Sequence, residues 1–148
     1  TTDEGVVSYI DADAHRPDEV ISQARHILNL REPVAVMLMG ILGHIETIDE
    51  ACSIVRTLMD AVIPGSFFAH YDGIETPTAL IAQEKYKDTG AVPYWCRPPE
   101  VVERLYGAPG LELVEPGFVS MSLWRPDDAE VGRPAPVAGY GGVARKTA

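Results

Sequence analysis

Val34-Ala35-Val36-Met37-Leu38-Met39 runs straight into Gly40-Ile41-Leu42-Gly43-His44, and this stretch decides the fold class. A strand with water on one face alternates apolar and polar residues; a strand covered on both faces reads as a continuous apolar run. Val34–Met39 is continuous, so it predicts a strand of a parallel sheet flanked by helices. Gly40 and Gly43 mark a bend at its C-terminal end. A glycine there lets a ligand come close to the backbone, which makes Met39 and Gly40 candidate ligand contacts.

Downstream, Thr47-Ile48-Asp49-Glu50 fits a capping box, with Thr47 as N-cap and Glu50 three residues on. The helix it opens places Ala51, Ile54, Val55, Leu58, Met59 and Val62 on one stripe, and Pro64-Gly65 ends it. Ser66–Tyr71 reads as another buried strand, closed by the turn signal Asp72-Gly73. Thr76-Pro77 predicts a helix to about Lys87, and Pro98–Tyr106 a shorter one. Leu111–Val114 and Val119–Trp124 read as an antiparallel pair about the Pro116-Gly117 turn. The proline-rich loop Arg125–Pro136 then leads to a closing strand at Tyr140–Ala144. Upstream, Val6–Ile10 is short, apolar and β-branched, which suits a strand. Pro17 opens a helix whose face is Val20, Ile21, Ala24, Ile27 and Leu28, with Asp18 and Glu19 complementing the helix dipole. Strands alternating with helices predict an α/β fold, one domain over residues 1–148, with an antiparallel hairpin at its C-terminal edge.

Composition narrows the function classes. The chain has 148 residues and a formal net charge of -10, which disfavours general nucleic-acid binding. No apolar run is long enough for a membrane span, and Thr1–Asp11 lacks the basic start of a signal peptide. A soluble cytoplasmic protein is the expectation. Cys52 and Cys96 form no C-x-x-C pair; Cys52 falls in an apolar helical pattern and reads as core. The four histidines lack metal-ligand spacing, so no metal site is expected. There is no Walker A loop and no G-x-S-x-G elbow. Gly139-Tyr140-Gly141-Gly142 is not followed by the helix that a dinucleotide fingerprint needs.

Ligands of open α/β sheets bind beyond the carboxyl ends of the strands. Three such ends carry chemistry. Asp13 can accept a hydrogen bond from an adenine amino group while Ala14 offers its backbone N–H to the ring; Asp13 can equally cap the turn before Pro17. His44 is a candidate general base or acceptor-binding group, or simply a half-buried histidine ahead of a helix. His70 and Tyr71 can contact a substrate, or form a polar exit from a strand. Trp95 and Arg97 lie in a loop able to cover a pocket.

The segment Val7-Ser8-Tyr9-Ile10-Asp11-Ala12-Asp13-Ala14-His15-Arg16-Pro17-Asp18 resembles the Y-I-D-A-D-x-R-D-P motif of an actinobacterial S-adenosyl methyltransferase family, long catalogued as a domain of unknown function. Pro33–Ile45 is similar to its P-V-A-L-L-L-x-x-x-L-H-x-I strand, and Pro64-Gly65-Ser66 to its P-G-S turn. Leu111–Gly117, Trp124-Arg125-Pro126 and Tyr140–Lys146 resemble its ending. The resemblance runs along nearly the whole chain. It implies a Rossmann-like class I sheet of strand order 3-2-1-4-5-7-6, with Val6–Ile10 as the third strand and Val34–Met39 as the fourth. By that likeness Asp13 and Ala14 contact the adenine of S-adenosylmethionine, and Met39 and Gly40 lie beside its methionine part. The family more often carries its histidine one position before His44.

The same resemblance implies that strands 1 and 2, with the glycine-rich loop and the ribose-binding acid, stand before Thr1. The chain is therefore expected to be the C-terminal part of a methyltransferase domain. The expected activity is methyl transfer to a small-molecule acceptor. A non-catalytic methyltransferase-like module and another nucleotide-binding α/β enzyme, such as a reductase, remain as alternatives. The oligomeric state is not legible.

Overall fold

The computed structural model describes residues 7–86, 89–127 and 134–148. Its elements are α1 (Pro17–Ala24), β1 (Ala35–Met39), α2 (Ile48–Asp60), β2 (Phe67–Gly73), α3 (Pro77–Tyr86), α4 (Pro99–Val102), β3 (Leu111–Leu113), β4 (Val119–Ser120) and β5 (Gly139–Lys146). They build one open α/β sheet of order β1-β2-β5-β3, with β4 also on β5.

The β1–α2–β2 crossover places β1 parallel to β2, from Ala35 opposite Phe67 to Met39 opposite Tyr71. Among the described residues this is the parallel part. β2 runs antiparallel to β5, and both β3 and β4 pair antiparallel with β5. The expected hairpin between β3 and β4 is therefore corrected: each takes a different part of the same edge of β5. The last strand does not close the sheet but lies inside it. Its glycines allow this. A side chain at Gly141 would collide with the His70 carbonyl and with Tyr71 Cβ, so β5 can lie tight on β2 only without one. The Val119–Trp124 strand is also shorter than read, because Met121–Leu123 turns as a 3-10 helix.

α2 packs on the sheet through Ala51, Ile54, Val55 and Met59, against Phe68 and the α4 residues Val102, Leu105 and Tyr106 just beyond. Burying each large aliphatic side chain here contributes about 1.5–3 kcal/mol. Thr47 caps α2, its hydroxyl accepting from the Glu50 N–H at 3.2 Å. At the other end Lys146 Nζ reaches from β5 to the carbonyls of Met59 and Val62, at 2.9 and 3.0 Å, satisfying acceptors the helix leaves open.

Three further expectations are corrected. Residues 7–10 form no ladder, and Tyr9 is 95% exposed; Val6 lies outside the described residues. A strand needs a neighbour for its backbone groups, and none of the described residues supplies one. β1 is apolar throughout but covered on one face only. Its partner face, continued by β2, leaves Met37 (59%), Met39, Phe67 and Tyr71 exposed, because α2 and α4 both pack on the Phe68 side. α1 stops at Ala24, after which turns leave Ile27 and Leu28 about half exposed. No helix among the described residues is long and apolar enough to cross a membrane.

Candidate functional site

The site grows from the turn after β1. Gly40 adopts a positive φ of 70°, and its N–H donates to the Tyr71 carbonyl at 2.8 Å. The chain then forms the 3-10 turn Leu42–His44 and enters α2. A cavity lies on each side of this turn.

The first cavity, about 210 Å³, is apolar. Ile10, Ala12 and Ala14 line it from the segment before α1, and Leu38, Ile41 and Leu42 line it from the end of β1. Asp13 sits between two of these lining residues. Its Oδ1 accepts the His15 N–H at 2.9 Å, and its carbonyl accepts the Arg16 N–H, so it does cap the turn before Pro17. Its second carboxylate oxygen and the Ala14 N–H have no hydrogen-bond partner among the described residues. Ala14 lines the apolar slot and the exposed Asp13 precedes it in the chain, so a carboxylate acceptor and a backbone donor adjoin each other next to the slot. Adenine presents a complementary edge, an amino donor next to a ring-nitrogen acceptor, with an apolar face for the slot. The residues present fit that group.

Two contacts hold this segment. Gln23 Nε2 donates to the Asp11 carbonyl at 3.1 Å, and His15 Nδ1 meets Glu50 Oε1 at 2.7 Å. The Glu50 hydrogen bond is the main cause that raises the His15 pKa above its ordinary value. Glu50 was legible as the end of a capping box; its carboxylate instead ties α2 to the loop that borders the slot.

The second cavity, about 470 Å³, lies between α3 and residues 91–95. Its wall is fixed by Tyr94. The Tyr94 hydroxyl donates to Asp72 Oδ1 and accepts from the Gly73 N–H, both at 2.8 Å. Burial pushes this phenol far above its usual range, so it stays a donor. The Tyr94 ring lies where a Gly43 side chain would project, which explains that glycine. The Trp95 N–H donates to the Gly43 carbonyl at 2.6 Å, and Arg97 donates to the carbonyls of Leu42, Ile45 and Trp95. Arg97 is thus an anchor of the loop, while Trp95 lines the cavity.

His44 is exposed. Its ring meets the Tyr94 ring edge-on at 5.0 Å. Its Nδ1 is 2.8 Å from the Pro93 carbonyl. A carbonyl only accepts, so Nδ1 carries the proton, and in neutral His44 the lone pair sits on Nε2.

The predicted residues are only partly brought together. Met39 pairs with Tyr71 on the bare face of the sheet, and the Tyr71 hydroxyl lies 3.7 Å from where a Gly40 side chain would start. Met39, Gly40 and Tyr71 therefore stand together at one strand end, while His44 lies against Pro93 and Tyr94, and Ala14, next to Asp13 in the chain, lines the slot. His70 does not join them. It is 2% exposed, on the opposite face from Tyr71. Its Nε2 donates to Asp72 Oδ2 at 2.6 Å, and its Nδ1 lies 3.2 Å from the Tyr106 hydroxyl. Contact with a substrate is closed to it; it braces Asp72, which in turn holds Tyr94. Cys52 and Cys96 are free thiols, each raised by burial above its ordinary pKa. Among the described residues no cluster of His, Cys, Asp and Glu is placed to hold a metal.

Comparison with known proteins gives this site a context. No match is found among curated protein sequences. A protein of Thermobifida fusca YX described as a candidate methyltransferase is 30% identical, with a TM-score of 0.79 over 94% of this chain and 53% of that one. A DUF574-family protein of Streptomyces avermitilis MA-4680 is 32% identical, with a TM-score of 0.80 over 93% of this chain and 54% of that one. TnmH, 12% identical with a TM-score of 0.54 over 94% of this chain and 34% of that one, shares the fold. The chain spans about half the length of the two more similar structures. The family described as S-adenosyl methyltransferase matches residues 1–147, and this chain belongs to that family.

Proposed function

We propose that these residues bind the adenosine side of S-adenosylmethionine and present its methyl group to a small-molecule acceptor, within a longer methyltransferase. The observation that carries this is the apolar slot lined by Ala12 and Ala14 on either side of Asp13, with one Asp13 carboxylate oxygen and the Ala14 N–H unpartnered among the described residues. Family membership supplies the cofactor class. The bare apolar face of β1 and β2, and relatives about twice as long, support a larger protein in which that face is covered.

When bound, the cofactor supplies an electrophilic methyl group on a sulfonium, leaving a thioether once the methyl has gone to the acceptor. The chain's own residues do the rest. Asp13 and Ala14 orient the adenine, and Gly40 leaves room at the strand end for the methionine part. His44 Nε2 takes the proton that a hydroxyl acceptor gives up, while Pro93 holds the ring in the tautomer this needs. Positioning and exclusion of water carry the remaining barrier. The acidic chain disfavours nucleic acid as the acceptor.

Thermal unfolding of the intact protein tests the reading. S-adenosylhomocysteine at a hundredfold excess over its Kd stabilises by about 2.7 kcal/mol through mass action. Nicotinamide dinucleotide is expected to do nothing. A shift with the dinucleotide and none with S-adenosylhomocysteine would transfer the site to redox chemistry.

A further inference from the structure

The second cavity carries the chemistry of the acceptor. Gln83, Tyr86, Val92, Pro93, Tyr94 and Trp95 line it, and three of these six are aromatic. Among the described residues no lining side chain is charged. A carboxylate or ammonium group buried against these residues would lose hydration with no counter-charge among the described lining to replace it. The volume, about 470 Å³, suits a small molecule.

The polar groups narrow the choice further. Gln83 Oε1 accepts the Cys96 N–H at 3.2 Å, so its amide is oriented with the oxygen toward the backbone. Its Nε2 is left as the side-chain amide donor of the lining. His44 packs on Pro93 and Tyr94 from the β1 side, with its Nε2 lone pair unengaged. The described lining therefore offers aromatic faces and neutral donors on Gln83, Tyr86 and Trp95, and His44 touches two of its residues, Pro93 and Tyr94.

We propose that this cavity binds the methyl acceptor, and that the acceptor is a neutral, planar aromatic molecule of one or two rings bearing a hydroxyl group. The aromatic faces take the ring system, Gln83 Nε2 donates to a carbonyl or ether oxygen of the ligand, and the hydroxyl lies toward His44. The proposal rests on the methyl-transfer reading above for the role of the ligand, but not for its chemistry.

Trp95 in the wall provides the readout. A Trp124→Phe variant leaves Trp95 as the single tryptophan of these 148 residues, a further Trp95→Phe change identifies the signal that belongs to it, and 2-naphthol and 2-naphthoate serve as probes that share the naphthalene ring and differ in charge. Saturable quenching by 2-naphthol, at least tenfold weaker with 2-naphthoate, is expected. Val92→Glu, at a position 72% exposed where folding tolerates a charge, should abolish the naphthol signal. Equal or tighter binding of 2-naphthoate, no saturable quenching by 2-naphthol, or quenching that survives Val92→Glu would overturn the proposal. Calorimetry with S-adenosylhomocysteine on the same variants reads the cofactor site independently. Its failure with naphthol binding intact would sink the methyl-transfer reading and leave the cavity's specificity standing.

Discussion

Replacing Tyr94 with phenylalanine removes one oxygen atom and two hydrogen bonds. Asp72 is 3% exposed, and its Oδ1 loses the donor at 2.8 Å. A hydrogen bond to a carboxylate contributes about 1.5–3 kcal/mol. The Gly73 N–H loses its acceptor as well, which costs about 1 kcal/mol in a half-buried place. The ring still packs on Gly43, so the apolar contribution is kept. The sum is about 2.5–4 kcal/mol, reduced to about 2–3 where water reaches the half-buried ring. At a urea slope of about 2 kcal/mol per molar, the unfolding midpoint should fall by on the order of 1 M. The assay is urea denaturation followed by far-ultraviolet circular dichroism, with Asp72→Asn and the double variant completing a cycle. Near-additive losses, or a Tyr94→Phe cost below about 0.5 kcal/mol, would refute the idea that this hydroxyl latches the loop to the sheet.

Gly43→Ala should act through the same latch, because its new methyl collides with the Tyr94 ring; it should cost about 3 kcal/mol in wild type and under about 1 kcal/mol in a Tyr94→Ala background, read by the same denaturation. The His15–Glu50 pair should make stability depend on pH. The folded pKa of His15 is raised above 6.5, so its contribution is fully present below that value and is lost as pH rises through the raised one. Glu50→Gln should remove this slope and bring the His15 titration, followed by nuclear magnetic resonance, back down; an unchanged titration would show that Glu50 is not the cause. His44→Ala should leave S-adenosylhomocysteine affinity within about twofold and slow transfer to a hydroxyl acceptor by about 100-fold; a loss of affinity without a loss of turnover would make His44 a binding residue instead.

The parts legible in the sequence are those set by neighbours in the chain. Thr47 caps α2 as its spacing indicates, and the Val34–Met39 run forms β1. Which faces are covered was not legible, because apolar composition shows that a surface prefers burial and not what buries it. The paired reading of His70 and Tyr71 failed on a period-2 signal that was present. Strand alternation puts Phe68, His70 and Asp72 on one face and Tyr71 on the other. Tyr94 had no signal of its own. Its partners, Gly43, Asp72 and Gly73, stand 21 to 51 positions away, and only the docked loop brings them together. The turn that Asp13 caps was legible because its hydrogen bonds are local, to His15 and Arg16 just before α1.

The most direct measurement is calorimetric titration of S-adenosylhomocysteine into the intact protein and its Asp13→Ala variant. The account predicts saturable one-to-one binding that Asp13→Ala weakens by more than tenfold, a loss of about 1.4 kcal/mol or more. Binding of equal strength in the variant would contradict the placement of adenine against Asp13 and Ala14, and with it the site proposed for this chain.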